Sequence, residues 1–211
     1  MSNFFERLKS ISKVQILAIV LIILGVVIMA FKVQGMSDFY KEVNYAVEHD
    51  FAAGNPSPEL LRPWMTIRYI SVAYAVPQEY LFDATRIQPK KENSMLALER
   101  LNQQMGLGQV GGQPALMKTV QGAILAYRAN PVATGLIEQN VEGWMTVAYI
   151  ANSIGVPAET ILQEVGISPE GNAYKPLGFL SDEVNYPGGE DALVEAIQKI
   201  VAEQGVPLVI P

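Results

Sequence analysis

The sequence contains an internal repeat at an offset of 80 residues, and this feature constrains the fold most strongly. Residues 64–89 (WMTIRYISVAYAVPQEYLFDATRIQP) align without a gap with residues 144–169 (WMTVAYIANSIGVPAETILQEVGISP), and ten of 26 positions are identical. Shorter matches follow, with small gaps. Self-similarity of this kind is typical of a duplicated structural unit. We therefore predict two copies, called repeat 1 (55–130) and repeat 2 (134–206).

Each repeat is predicted to be helical. Thr66 and Thr146 suit the N-cap of a first helix, because a threonine oxygen accepts a hydrogen bond from the first turn. In repeat 2, Gly155 suits a left-handed C-cap at the end of this helix. Pro77 and Pro157 then end that helix and begin a second one. Further helices are predicted at 94–105, 114–127, 180–184 and 190–204.

Strand signals are few. Residues 106–112 (GLGQVGG) have the glycine spacing of a dinucleotide fingerprint, but they follow a predicted helix and not a strand, so we predict a flexible loop. The predicted fold class is mostly α: one N-terminal transmembrane helix followed by an all-helical domain made of the two repeats.

The transmembrane helix is predicted from the 18 residues between Val14 and Phe31, of which only Gln15 is polar. At a rise of about 1.5 Å per residue they cover roughly 27 Å, about one hydrocarbon core. The alternative is a cleaved signal peptide, yet the run exceeds the roughly 7 to 15 apolar residues of such peptides. The membrane anchor is represented by Val14, Leu17, Leu21, Leu24, Ile28 and Phe31.

Basic residues set the predicted orientation. Arg7, Lys9 and Lys13 lie in the tail (1–13) before the span (14–35), and Lys32 and Lys41 follow its apolar run. Because Lys and Arg resist translocation, we expect a cytoplasmic N-terminus and a periplasmic domain at a bacterial inner membrane.

A connector (36–54) is expected between the span and repeat 1. It is predicted to be helical up to Phe51 and to end at the breaker cluster of residues 52–56. A short apolar tail (207–211) follows repeat 2.

The pattern W-M-T-x-x-Y-I-A-x-x-x-G-V-P-x-E in repeat 2 resembles helix-turn-helix-like modules of single-pass bacterial membrane proteins. Repeat 1 has Ala75 and Arg86 where glycine is expected. The resemblance implies a tandem helix-turn-helix-like architecture but no single function, because modules of this kind bind DNA, bind protein or fill space.

The charges of the second helix bear on DNA binding. This helix carries Arg86 as its one basic residue in repeat 1 and none in repeat 2, and the chain has a net charge of −6. An acidic domain repels phosphates, so no nucleic-acid partner is expected.

The paired aromatic residues are candidate protein-contact or core residues: Trp64, Tyr69, Trp144 and Tyr149. An aromatic platform for a ligand is conceivable, but packing that closes the helical pair explains them better.

The sequence contains few of the residue patterns that known catalytic sites require. The chain has no cysteine and one histidine, His49, which excludes thiolate chemistry and restricts any Ser-His-Asp arrangement to that residue. The pairs Asp182–Glu183 and Glu190–Asp191 suit acid–base chemistry in principle, but helix caps and hydrated faces explain them better. We therefore expect no catalytic, cofactor-binding or metal-binding residues.

These observations favour a non-enzymatic accessory or scaffold subunit that docks on a larger integral membrane complex, whether photosynthetic, respiratory or secretory. One alternative is an envelope enzyme or binding protein that uses carboxylates. The other is a membrane-tethered helix-turn-helix regulator.

Overall fold

A computed structural model describes residues 44–135 and 140–203. The predicted tail, the span with its six anchor residues and the C-terminal tail lie outside the described residues. Within the described ranges, no helix has the length and apolar character needed to cross a membrane.

The described part of the chain is mostly helical, as predicted. Repeat 1 contains α1 (Ile67–Ala73), α2 (Gln78–Thr85), α3 (Lys91–Met95), α4 (Leu98–Gln104), β1 (Gln109–Val110), β2 (Gln113–Pro114) and α5 (Ala115–Ala129). Repeat 2 contains α6 (Val147–Ile154), α7 (Ala158–Glu164), α8 (Leu177–Glu183) and α9 (Gly189–Glu203). The two strands pair antiparallel, Val110 opposite Gln113.

The first helix of each repeat starts in the same way. The Thr66 hydroxyl accepts a hydrogen bond from the Tyr69 amide at 3.0 Å, and the Thr146 hydroxyl accepts one from the Tyr149 amide at 3.2 Å. Both predicted N-caps are therefore confirmed. The predicted left-handed C-cap at Gly155 is confirmed too, with φ at 75°.

A second local feature also occurs in both repeats. The Leu98 amide donates to the Met65 carbonyl at 2.8 Å, and the Leu177 amide donates to the Met145 carbonyl at 2.9 Å. Each bond ties the segment before a first helix to the start of a later one, α4 or α8. The buried leucine and methionine at each position bring these two chain segments together in the core.

The helix predicted at 94–105 is two helices. Leu96 and Ala97 adopt extended conformations, and Ala97 forms an isolated bridge with Thr66. This pairing interrupts the helix, and helical periodicity does not reveal it. In repeat 2 the corresponding helix α8 begins at Leu177, three residues before the predicted start.

The flexible-loop prediction for residues 106–112 was wrong, because β1 and β2 form a hairpin there. Gly111 and Gly112 have φ of 62° and 77°. Two consecutive positive φ angles make the tight turn that matches the twist of two antiparallel strands, and glycine adopts them without strain.

The part of the connector that the structure describes, from residue 44 onward, is less helical than predicted. Residues 44–48 are helical, Asp50 then adopts a φ of 51°, and short 3₁₀ helices follow at Phe51–Ala53 and Pro58–Leu60. Phe51 is buried, with its ring centroid 5.8 Å from that of Tyr74. Burial of this ring holds the start of the domain in place.

Each repeat has a core of buried aliphatic and aromatic side chains. In repeat 1 the core includes Met65, Ile70, Leu81, Phe82, Leu98, Leu116 and Ile124, and in repeat 2 it includes Met145, Tyr149, Ile150, Leu162, Leu177, Leu193 and Ile197. Helix α5 packs on α2, α9 packs on α8, and α1 contacts α6. The α1–α6 contact brings the two repeats together, and Val72 of α1 packs against the repeat 2 core.

Candidate functional site

A charged and aromatic cluster lies where the two repeats meet. The Arg68 guanidinium carbon, at the start of α1, lies 3.7 Å from the centroid of the Trp144 ring. The Glu142 Oε2 atom accepts a hydrogen bond from Trp144 Nε1 at 2.5 Å and lies 3.6 Å from Arg68 Nη2. One cation is thus held by an aromatic face and a carboxylate from the other repeat. Such an arrangement stabilises the contact between helical units.

The four aromatic residues predicted as contact or core residues fall into two pairs. Trp64 meets Tyr69 edge-on, with the ring centroids 5.3 Å apart, and Trp144 lies tilted against Tyr149 at 6.1 Å. Tyr149 is fully buried, while the other three are half-buried. Trp64 and Tyr69 both belong to repeat 1, and Trp144 and Tyr149 both belong to repeat 2. Of the four, Trp144 also stacks on Arg68 of repeat 1.

Polar side chains complete the contact between the repeats. Asn152 of α6 donates its Nδ2 hydrogen to the Ala75 carbonyl at 2.6 Å, and the buried Gln78 donates to the Tyr149 hydroxyl at 3.4 Å. The Tyr127 hydroxyl donates to the Asn152 carbonyl at 3.5 Å. Buried polar groups that lose such partners are costly, so these bonds favour one relative arrangement of the helices.

The segment 51–61 covers the end of the connector and the start of repeat 1; it contacts helices of repeat 1 and a ring of repeat 2, and we call it the entry segment. The Pro56 carbonyl accepts a hydrogen bond from Arg128 Nη2 of α5 at 2.9 Å. Gly54 lies against the Tyr174 ring of repeat 2, so closely that a Cβ atom on residue 54 would be 2.6 Å from it. The chain therefore enters the domain in contact with both repeats.

An open groove of about 460 Å³ lies on repeat 2, and we call it the acidic groove. Its lining includes Asn152, Ala158, Glu159, Leu162, Glu170 and Tyr174. Two carboxylates lie among apolar and aromatic side chains, and none of the described residues that line the groove is basic. The chemistry of this lining suits a cation on an aliphatic stem.

Burial and charge shift the acidity of a few groups. Burial raises the pKa of Glu79 in α2, and the nearby Asp83 carboxylate raises it further. Burial also raises the pKa of Tyr127 to about 12, with a smaller contribution from Tyr80. Burial lowers the pKa of Arg128, and the neighbouring tyrosines Tyr74 and Tyr174 offset part of this effect by raising it.

The carboxylate pairs noted in the sequence lie in structural surroundings. Glu183 forms an ion pair with Lys175 at 2.7 Å. The Glu190 side chain occupies space next to Gly143 and Gly178, where a Cβ atom would collide with it. In the described ranges, no group of three or more His, Asp or Glu side chains is placed to hold a metal ion. His49 contacts the Phe51 ring, at 6.5 Å between centroids.

Sequence reasoning missed Arg68, Glu142 and Asn152. In the repeat alignment these positions correspond to Ala148, Arg62 and Val72. The signal that reveals them is a polar or charged residue at a position where the other repeat carries a different residue type. Many other positions also differ between the repeats, so this signal by itself does not single out the contact.

Comparison with protein-family models, with curated proteins and with solved structures finds no match to this chain. We therefore infer its function from its own residues.

Proposed function

We propose that this protein is a non-enzymatic, membrane-anchored accessory or scaffold subunit, and that its two helical repeats dock on a larger integral membrane complex. The observation that carries the proposal is the hairpin of repeat 1. It exposes Met105, Leu107 and Val110, with 38%, 38% and 51% of their surfaces accessible. Adjacent exposed apolar side chains of this kind are typical of protein contact surfaces.

The hairpin has no counterpart in repeat 2. Residues 105–114 connect α4 to α5, whereas the shorter segment 184–188 connects α8 to α9. Extra loops on an otherwise shared scaffold are where binding functions are usually found. The shared caps and backbone pairing support the duplication itself, and the hairpin is what distinguishes the first copy.

The entry segment supports a scaffold role. Phe51, Gly54 and Pro56 hold the incoming chain against both repeats. A surface used for docking is then kept at a fixed position relative to the point where the chain enters. The apolar run 14–31 and the basic residues before it support an anchor with the domain on the periplasmic side.

The test is to tag the C-terminus, extract native membranes in mild detergent and identify stoichiometric partners by mass spectrometry and absorbance. We expect a multisubunit assembly to copurify. The double variant Leu107→Asp/Val110→Asp is expected to lose it, whereas Leu125→Asp, at an exposed apolar position on α5, is expected to retain it. A chain that purifies alone would contradict the proposal, as would equal copurification by both variants.

The alternative of an envelope enzyme that uses carboxylates draws on one specific observation, the raised pKa of Glu79 beside Asp83. A carboxyl with a raised pKa keeps its proton to a higher pH than an ordinary glutamate does, which suits a general acid. The enzyme alternative requires a substrate that reaches α2. The regulator alternative requires a basic surface on α2 that binds DNA. The exposed residues of α2 are Asp83 and Ala84, which favours neither a phosphate backbone nor another anion.

A further inference from the structure

The same turn carries opposite charges in the two repeats. Residues 86–91 (RIQPKK) of repeat 1 align with residues 166–171 (GISPEG) of repeat 2. Arg86, Lys90 and Lys91 are all exposed, and none of them forms an ion pair with another described residue. We call residues 86–91 the basic turn. At the aligned position of Lys90, repeat 2 has Glu170, which lines the acidic groove.

The charge difference extends over the whole of both repeats. Residues 55–130 contain eight basic and five acidic residues, whereas residues 134–206 contain two basic and eleven acidic ones. Both lysines of repeat 2 are already paired, Lys175 with Glu183 and Lys199 with Glu203. Repeat 1 is therefore net positive and repeat 2 strongly net negative. Opposite surfaces on a single chain attract between copies.

The acidic groove suits the side chains of the basic turn. Its volume of about 460 Å³ accommodates lysine side chains. The methylene stems would pack on Ala158 and the Tyr174 ring, while the ammonium groups would meet the carboxylates of Glu159 and Glu170. A cation above a tyrosine ring gains further stabilisation.

We propose that the acidic groove of one copy binds the basic turn of a second copy. Because the turn and the groove are different surfaces, the contact is head-to-tail, and each bound copy still offers one free turn and one free groove. Association therefore continues into rows of copies instead of stopping at a symmetric dimer. The contact is electrostatic and exposed, so it is weak and weakens as salt is raised.

The first measurement is sedimentation velocity of the full chain in a non-ionic detergent, at low and high ionic strength. We expect a series of species that grows with protein concentration at low salt and is lost at high salt. The variants Lys90→Glu/Lys91→Glu and Glu159→Lys/Glu170→Lys are each expected to associate at least about tenfold more weakly than the unmodified chain. A chain that stays monomeric at low salt overturns the proposal.

Mixing the two charge-reversed variants provides the sharpest test. Within each variant alone, the turn and the groove have the same charge and repel. In the mixture, the acidic turn of the first variant fits the basic groove of the second, and the basic turn of the second fits the acidic groove of the first. We expect an equimolar mixture to associate at low salt into rows in which the two variants alternate, whereas each variant alone stays monomeric. A mixture that remains monomeric, or association that survives in either variant alone, overturns the proposal.

Two controls separate this proposal from other effects. Arg100→Glu/Lys118→Glu changes the net charge as much as the turn variant does, at exposed positions outside the turn, and should associate normally. Leu107→Asp/Val110→Asp alters the hairpin of the proposed docking surface and should also self-associate normally. Far-ultraviolet circular dichroism shows whether each variant is folded. If the control variant fails as the turn variant does, net charge and not the turn drives association, and the proposal is wrong.

Discussion

The guanidinium carbon of Arg68 lies 3.7 Å from the centroid of the Trp144 ring, so a cation of repeat 1 is stacked on an aromatic side chain of repeat 2. Arg68 also lies 3.6 Å from a Glu142 carboxylate oxygen, which the Trp144 indole nitrogen holds by a hydrogen bond. In repeat 2 the residue aligned with Arg68 is Ala148, so the duplicated unit does not contain this arrangement twice.

Arg68→Ala is expected to lower the free energy of unfolding by about 1–2 kcal/mol, because a stacked cation and an ion pair are lost together. Arg68→Lys should recover part of this, since lysine keeps the charge but not the planar stacking. Chemical denaturation followed by tryptophan fluorescence measures the change. Arg100→Ala, at an exposed position, is the control. If Arg100→Ala loses as much free energy of unfolding as Arg68→Ala, the contacts of Arg68 with Trp144 and Glu142 contribute nothing specific.

The aligned residues Arg86 and Gly166 both adopt left-handed backbone conformations, with φ of 57° and 75°. A side chain there is strained, so Arg86→Gly is expected to raise the free energy of unfolding by up to about 1 kcal/mol. Gly166→Ala should lower it by about 1 kcal/mol, since a Cβ atom there meets no neighbour and backbone strain alone acts. Thermal unfolding of both variants checks the two signs, and equal signs would refute the explanation.

Gly54→Ala is expected to cost about 2–4 kcal/mol of stability. Residue 54 has a φ of 83°, which disfavours any side chain, and its Cβ atom would lie 2.6 Å from the Tyr174 ring. Gly112→Ala, with a φ of 77° and open space around it, isolates the backbone cost of about 1 kcal/mol. In a Tyr174→Ala background the cost of Gly54→Ala should fall to that level. An unchanged cost there would mean that the ring contact is unimportant.

The raised pKa of Glu79 makes stability depend on pH in a defined direction. A carboxyl that binds its proton more tightly in the folded chain favours folding at low pH, and this stability is lost as pH rises from about 4.3 through the folded-state pKa. Glu79→Gln removes the cost of holding a half-buried negative charge at this position, so the variant should be more stable than the unmodified chain at pH 7. The gain should be less than about 1 kcal/mol, because solvent screens the half-buried group. It should vanish below pH 4.

Urea denaturation at several pH values measures this dependence. Glu159→Gln removes the same charge at the aligned, exposed position of repeat 2 and controls for net charge. A gain for Glu79→Gln that persists unchanged at pH 3 would contradict the assigned cause.

Much of the local structure follows from short-range sequence signals. The N-caps at Thr66 and Thr146 and the left-handed Gly155 depend on backbone chemistry within a few residues, so a single sequence reveals them. The predictions failed where distant segments meet. The helix at 94–105 is interrupted because Ala97 pairs with Thr66, and no local pattern shows a partner 31 residues away.

The sequence by itself determined that this chain is mostly helical, that its units begin with capped helices and that its charges are unequally divided between the repeats. Only the tertiary structure decided that Arg68 lies on Trp144, that Tyr174 contacts Gly54 and that Glu159 and Glu170 line one groove. The reason is physical. Caps and helical periodicity act over one or two turns, whereas contacts between repeats depend on how whole helices pack, which is set by the burial of many side chains at once.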